Sequence, residues 1–187
     1  MIASVAEQFR RKTSVSGSCN YITNHTGFTL EDLVSYDAKH NEANGEQNQD
    51  GPDYNYSWNC GVEGKTRKKQ IVKLRQGQKR NAMFLLMTAQ GTPCLLAGDE
   101  FGNSQGGNNN VYCQDNETGW VDWSRLEREK SFFHYVKELI AFRKKHGILH
   151  QKEALTGTDR SGSGIPDISY RSEERRVGKE CRSRWSP

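Results

Sequence analysis

A continuous apolar run, Cys94-Leu95-Leu96-Ala97, lies between two long amphipathic segments and ends abruptly in Gly98-Asp99-Glu100. Four apolar residues without alternation fit a strand buried on both faces, as in a parallel sheet covered by helices. Upstream, Lys65 to Gln90 reads as one helix. Ile71, Leu74, Gln78, Ala82, Leu85 and Ala89 recur three or four residues apart and predict an inward stripe. Gly91-Thr92-Pro93 then breaks the helix. Downstream, Ser124 to His146 predicts a second helix burying Phe132 or Phe133, Val136, Leu139, Ile140 and Phe142. Lys144, Lys145 and His146 fill its last turn, and Gly147 offers a stop.

Earlier in the chain, Met1 to Lys12 predicts a short helix, and Tyr21-Ile22-Thr23 a strand that stops at His25 and Gly27. Thr29 is a good N-cap for a brief helix through Leu33, Val34 and Tyr36. Residues 37–64 are polar and irregular, yet carry Tyr54, Tyr56 and Trp58 in alternation. Aromatics in that pattern favour a folded functional loop over disorder. A second polar loop, 102–120, follows the apolar run. The order is strand, loop, helix, strand, loop, helix, with polar residues gathered after each strand. That α/β order fits the catalytic face of a (β/α)8 barrel, and equally a doubly wound sheet.

Composition narrows the function classes. Only 33% of the 187 residues are apolar, and no run approaches a membrane span. Five cysteines, an odd number, show no two-residue spacing, so neither a disulfide framework nor a zinc knuckle is expected, and no metal or cofactor. Free thiols without an apparent secretory signal favour the cytoplasm. The net charge is +4, from 27 Lys/Arg against 23 Asp/Glu, which invites a nucleic-acid reading. However, Arg171 to Pro187 holds six of those cations and three of the anions, leaving 21 against 20 for the rest. No aromatic residues interleave the basic cluster at Lys65 to Lys69, so neither nucleic acid nor membrane is an expected partner.

Three stretches are more specific: HTGFTL from His25, HNEANGE with DYNYSWNCG between His40 and Gly61, and QGTPCLLAGDEFGNSQGGNNNVYCQDNETGWVDW from Gln90 to Trp123. In this order and spacing they resemble the glycogen-debranching and isoamylase branch of the α-amylase-type glycoside hydrolases. The match runs from about Cys19 to Tyr170. It implies a partial (β/α)8 barrel comprising the last two βα units, with Tyr21 to His25 as strand seven and Cys94 to Ala97 as strand eight. Residues 1–147 are then the C-terminal part of the barrel and 148–170 the start of a C-terminal β domain. Residues 171–187 resemble a translated sequencing adapter and are expected to be a non-native tail. A complete barrel typically takes about 250 residues.

The resemblance also implies function. Retaining glycosidases need a nucleophilic carboxylate and a general acid/base roughly 5–5.5 Å apart. In the family both arise after strands four and five, outside this chain, so the chain by itself is expected to be inactive. A third carboxylate follows strand seven in the pattern His-Asp-Gly; here the residues are His25-Thr26-Gly27. Thr26 can share a hydrogen bond but supplies no fixed charge. A non-catalytic carbohydrate-binding relative is therefore the alternative. His25 matches a sugar-contacting histidine. Asp99 and Glu100, adjacent on a strand and hence facing opposite ways, are read as site support and not as an acid/base pair. Asn108, Asn109, Asn110, Tyr112, Gln114, Asp115 and Trp120 are candidates to bind glycogen, branched α-glucan or maltooligosaccharide, with Trp58 and Asn44 behind them. Amides and carboxylates would meet sugar hydroxyls, and rings the C–H faces. Equally, these polar loops could mainly hydrogen-bond themselves.

Overall fold

The computed structural model describes residues 18–153, 155–159 and 161–169. The helix expected over Met1 to Lys12 and the tail from Arg171 lie outside the described residues. Two compact units divide at Lys152 and Glu153. In the first, β1 (Cys19–Asn20) pairs in parallel with β2 (Thr92–Pro93), in the register Cys19 to Thr92 and Asn20 to Pro93. Between them run α1 (Leu30–Leu33) and α2 (Lys69–Thr88); α3 (Arg125–Arg128) and α4 (Lys130–Lys145) follow. Two parallel strands joined through a helix are consistent with part of an α/β barrel.

The core is formed where α2 and α4 pack beside α1. Leu30, Met83, Leu86, Met87, Phe132, Val136 and Leu139 form one buried cluster. Thr29 caps α1, its hydroxyl accepting the Asp32 N–H at 3.2 Å, as the sequence predicts. Of the two phenylalanines at the start of α4, Phe132 is the buried one.

The inward stripe of α2 is rotated by one residue from the expected one. Arg75, Lys79, Met83, Leu86 and Met87 face inward, while Leu74 and Leu85 are exposed. Two buried cations explain the rotation, because each has acceptors waiting. The Arg75 guanidinium donates to Gly64 O at 2.7 Å, Asn59 O at 2.9 Å and also Val62 O, gathering the end of the polar loop. The Lys79 ammonium pairs with Glu31, lies 3.5 Å from Glu129, and sits over the Phe132 ring. On α4, Arg143 is buried in place of the expected Phe142, which is exposed. Its guanidinium donates to Met87 O at 2.8 Å, Ala89 O at 2.7 Å and Gly91 O. It thereby satisfies orphan carbonyls at the end of α2 and ties them to the approach to β2.

Both strands are shorter and earlier than expected. β1 ends at Asn20, before Tyr21, and β2 ends at Pro93, before the apolar run. Cys94 and Leu95 are exposed. A run of this kind is buried only where layers cover both sheet faces, and among the described residues a single neighbouring strand accompanies β2. Leu95 instead lines an apolar groove of about 460 Å³ with Met87, Pro93 and Ile140. α4 stops at Lys145 through an extended His146, and Gly147 opens a 3-10 turn to His150. In the second unit, the Asp167 carboxylate accepts the N–H groups of Thr156 at 2.9 Å and Gly157 at 2.7 Å. The β domain expected from residue 148 shows no strand among the described residues.

Candidate functional site

The turn after β1 and the polar loop 37–64 face each other across a cleft of about 210 Å³. Tyr21, Asn24 and Thr26 line one side; Tyr54, Asn55 and Tyr56 line the other. The rings of Tyr54 and Tyr56 meet edge to face with centroids 4.4 Å apart, and both residues are exposed. Tyr56 adopts a left-handed backbone, φ 54°, that costs energy for a bulky side chain. Thr26 sits in a tight turn, its N–H and hydroxyl both 2.9 Å from the Asn24 amide oxygen. His25 is exposed on the same turn and is not part of the cleft lining.

Loop 37–64 is held by long-range bonds. The Glu63 carboxylate accepts the Asp37 N–H at 2.9 Å, the Ala38 N–H at 3.2 Å and the Asn59 amide at 2.9 Å, with His40 at 3.2 Å. Burial pushes the Glu63 carboxyl up, but these hydrogen bonds outweigh it and bring it down to about 2. Lys39 donates to Asp50 O at 3.0 Å and Gly51 O at 3.2 Å and pairs with Asp53 at 2.6 Å, anchoring the strand of chain that leads into Tyr54. Gly107 closes against this loop with φ 83°; a Cβ there would lie 2.8 Å from the Tyr36 ring.

The three consecutive asparagines join the two polar loops. Asn109 is 1% exposed; its amide donates to Pro52 O at 2.8 Å and Asn55 Oδ1 at 2.6 Å and accepts from Asn41 at 2.8 Å. Asn108, also 1% exposed, donates to Asn44 Oδ1 at 2.7 Å. Asn110 is half-buried and donates to Asp50 at 2.8 Å. Gln114 donates to Ala43 O at 2.9 Å and to Asn44 at 2.8 Å. Within this group Asn109 braces Pro52 and Asn55 beside the cleft, and Asn108 braces Asn44. Tyr112 and Trp120 are exposed, and the Trp120 indole N–H donates to Asp115 at 3.1 Å. They stand apart from the cleft lining.

Asp99 and Glu100 lie on a 3-10 turn, not on a strand. Asp99 is 1% exposed, accepts the Leu30 N–H at 2.8 Å, and takes a hydrogen bond from the Thr23 hydroxyl. Burial, reinforced by the charges of Glu100 and Asp32, raises its carboxyl to about 6 despite those bonds. Glu100 accepts the Gly98 N–H at 2.9 Å. Asp32, fully buried and also pushed up by burial, accepts from the Ser104 hydroxyl and, at 2.7 Å, the Gln105 N–H. Among the described residues, no group of three or more His, Cys, Asp or Glu is placed to hold a metal ion. The cleft lining contains no carboxylate. It offers aromatic faces, amides and hydroxyls, groups that suit sugar hydroxyls and C–H faces.

The alternation of Tyr54 and Tyr56 is visible in the sequence, but their facing of Thr26 is not, and Tyr21 carries no local mark of a cleft wall. Nothing local marks Lys39, Glu63 or Arg75 as loop anchors, since their partners are mostly backbone groups distant in sequence.

No protein-family model matches the chain. A glycogen operon protein GlgX homolog of Mycobacterium tuberculosis is 49% identical over 156 residues, covering 83% of this chain and 22% of that protein. The glycogen debranching enzyme of Erwinia tasmaniensis is 50% identical over 136 residues, covering 73% and 20%. Isoamylase 1, chloroplastic, of Arabidopsis thaliana is 44% identical over 161 residues, covering 85% and 21%.

The chain is a relative of the glycogen-debranching enzymes and isoamylases.

This debranching-enzyme relative spans about a fifth of the length of the curated proteins it matches. Among solved structures, a pullulanase from Paenibacillus barengoltzii in complex with maltohexaose and alpha-cyclodextrin is similar, with TM-score 0.54 and 27% identity, covering 76% of this chain and 18% of that one. A pullulanase of an Anoxybacillus species, at 23% identity and TM-score 0.55, shares the fold over 80% of this chain and 18% of its own. The chain is thus related in sequence to a segment of debranching enzymes and isoamylases and is similar in structure to pullulanases. No helix among the described residues is long and apolar enough to cross a membrane.

Proposed function

We propose that the chain is a segment of the catalytic barrel of a hydrolase that cleaves α-1,6 branches in glycogen or a related α-glucan. On this reading it contributes part of the sugar-binding surface and no catalytic pair. The observation that carries the proposal is the cleft between Thr26 and the Tyr54–Tyr56 pair, built from hydrogen-bonding and aromatic groups with no carboxylate in its lining. The names of the relatives support the substrate class, and a maltooligosaccharide complex of a structural neighbour supports α-linked glucose chains as ligand. A reducing, cytoplasmic setting belongs to the same proposal and rests on the free thiols at Cys19, Cys60, Cys94 and Cys113.

Thr26 would occupy the place of the carboxylate that steadies positive charge at the scissile sugar. His25, beside it, would touch sugar hydroxyls, and exposed Tyr112 and Trp120 would extend the surface. Asp99 and Glu100 would support the site from beneath through Thr23, Leu30 and Gly98. The 187-residue chain is expected to bind maltohexaose weakly and to release no linear maltooligosaccharide from glycogen. Hydrolysis by the purified chain would overturn the assignment. The second reading, a non-catalytic glucan-binding relative, is favoured by Thr26 itself. It requires that a full-length protein carrying this segment bind glycogen without turnover and gain activity on Thr26→Asp.

A further inference from the structure

The side-chain amide of Asn55 is fixed in one orientation by a chain of bonds that begins at a backbone group. The Asn109 N–H can meet only an acceptor, so the Asn41 amide turns its oxygen there, at 3.0 Å. The Asn41 nitrogen then donates to Asp50 O at 2.9 Å and to the Asn109 amide oxygen at 2.8 Å. That leaves the Asn109 nitrogen to donate to Pro52 O at 2.8 Å and to Asn55 Oδ1 at 2.6 Å. Asn55 therefore spends its oxygen on the brace and keeps its nitrogen as the unengaged arm. Among the described residues that nitrogen is buried without a hydrogen-bond partner, although Asn55 belongs to the cleft lining. A buried donor left unpaired is costly, and the brace keeps this one from turning to find a partner.

The facing wall has the opposite character. The Thr26 hydroxyl donates to Asn24 Oδ1 at 2.9 Å and the Thr23 hydroxyl to Asp99, so both hydroxyl hydrogens are spent inside the protein and the oxygens are left to accept. A sugar hydroxyl both accepts and donates, and so suits a cleft with a free donor on one wall and acceptors on the other. The loop tip that carries Asn55 lies between two anchors, the Lys39–Asp53 pair at 2.6 Å and the Asn59 N–H on Asp37 at 2.7 Å. Between them Tyr54 and Tyr56 are exposed, and Tyr56 holds its unfavourable φ of 54°. We propose that Asn55 sets the specificity of the cleft: its free amide N–H donates to a hydroxyl oxygen of a glucose unit, the Tyr54–Tyr56 tip yielding to admit it. This rests on the glucan-binding reading of the cleft and adds the residue that selects for a hydroxylated ligand. An apolar ligand of the same shape would cover the tyrosines but leave the buried donor unpaired.

The test uses the full 187-residue chain, isotope-labelled and titrated with maltohexaose. The side-chain NH2 protons of Asn55 are followed by NMR beside the backbone amides of Thr26 and Tyr56. The Asn55 protons are expected to shift along the same saturation curve as those two amides. Asn55→Asp keeps an oxygen for Asn109 and replaces the donor by an acceptor, so it should weaken maltohexaose binding about tenfold while the signals of α4 stay in place. If Thr26 and Tyr56 respond and the Asn55 protons do not, the inference falls and the glucan-binding reading stands. Undiminished binding by a folded Asn55→Asp chain has the same meaning. A variant that fails to fold leaves the titration of the parent chain to decide. Silence at all three residues overturns the glucan-binding reading of the cleft, and the inference with it.

Discussion

The carboxylate of Asp99 accepts the backbone N–H of Leu30 at 2.8 Å, joining the turn after β2 to the first residue of α1. Leu30 is fully buried, so no water can replace this acceptor. The Thr23 hydroxyl holds the other carboxylate oxygen, and three segments distant in sequence meet at one side chain. Asp99→Ala is expected to destabilise the fold by about 2–3 kcal/mol, the cost of leaving a buried donor unpaired. Urea unfolding midpoints measure it, and a loss below about 0.5 kcal/mol would remove Asp99 from this role.

The raised Asp99 carboxyl has a defined pH signature. Its value is 3.8 when unfolded and about 6 in the fold, so between those limits the native state holds the extra proton. Stability from this group is therefore full below pH 4 and declines as pH rises toward 6, by roughly 3 kcal/mol as an upper figure. Asp99→Asn keeps an acceptor for Leu30 and removes the titration. Its stability relative to the parent chain should rise between pH 4.5 and 7, and a difference that is flat or falls with pH contradicts the assignment.

Glu63 acts in the opposite sense. Its carboxyl is lowered from 4.5 to about 2, so its contribution is present above pH 4.5 and is lost as pH falls through 2. The group is 36% exposed, and solvent screening limits the effect to about 1 kcal/mol. Glu63→Gln should accelerate amide exchange at Asp37 and Ala38 while leaving α4 protected. Unchanged exchange at those two amides would show that the loop is anchored without it.

Arg143 joins α4 to three carbonyls between Met87 and Gly91. Arg143→Met retains the buried stem but strands those acceptors, for a loss on the order of 3 kcal/mol. Loss of exchange protection at Ala89 and Thr92 is the specific readout. A uniform loss across the molecule would point to general destabilisation.

Phe132 and Phe133 separate by burial alone. Phe132→Ala should cost about 3–5 kcal/mol, and Phe133→Ala far less, because only the former sits in the seven-residue buried cluster. Thermal midpoints of the two variants decide the matter, and equal shifts would refute the packing described.

Local chemistry alone made much of this legible. The Thr29 cap, the helix bodies of α2 and α4, the breaks at Gly91 and the parallel order of the strands all follow from short-range pattern. The motifs around His25, His40 and Gly98 carried the family. The phase of α2 was not legible, because periodicity counts apolar residues and gives no weight to an arginine or lysine whose acceptors lie elsewhere in the chain. Arg75 is buried because Asn59, Val62 and Gly64 turn their carbonyls toward it, and Lys79 because Glu31 does. The site divides the same way. The sequence by itself determined that polar loops rich in Asn, Tyr and Trp follow two strands. Only the tertiary structure decided that Asn108 and Asn109 turn inward as braces while Tyr54 and Tyr56 face Thr26. A buried amide must spend its hydrogen bonds within the protein, and which amide is buried depends on contacts between loops that no local pattern encodes.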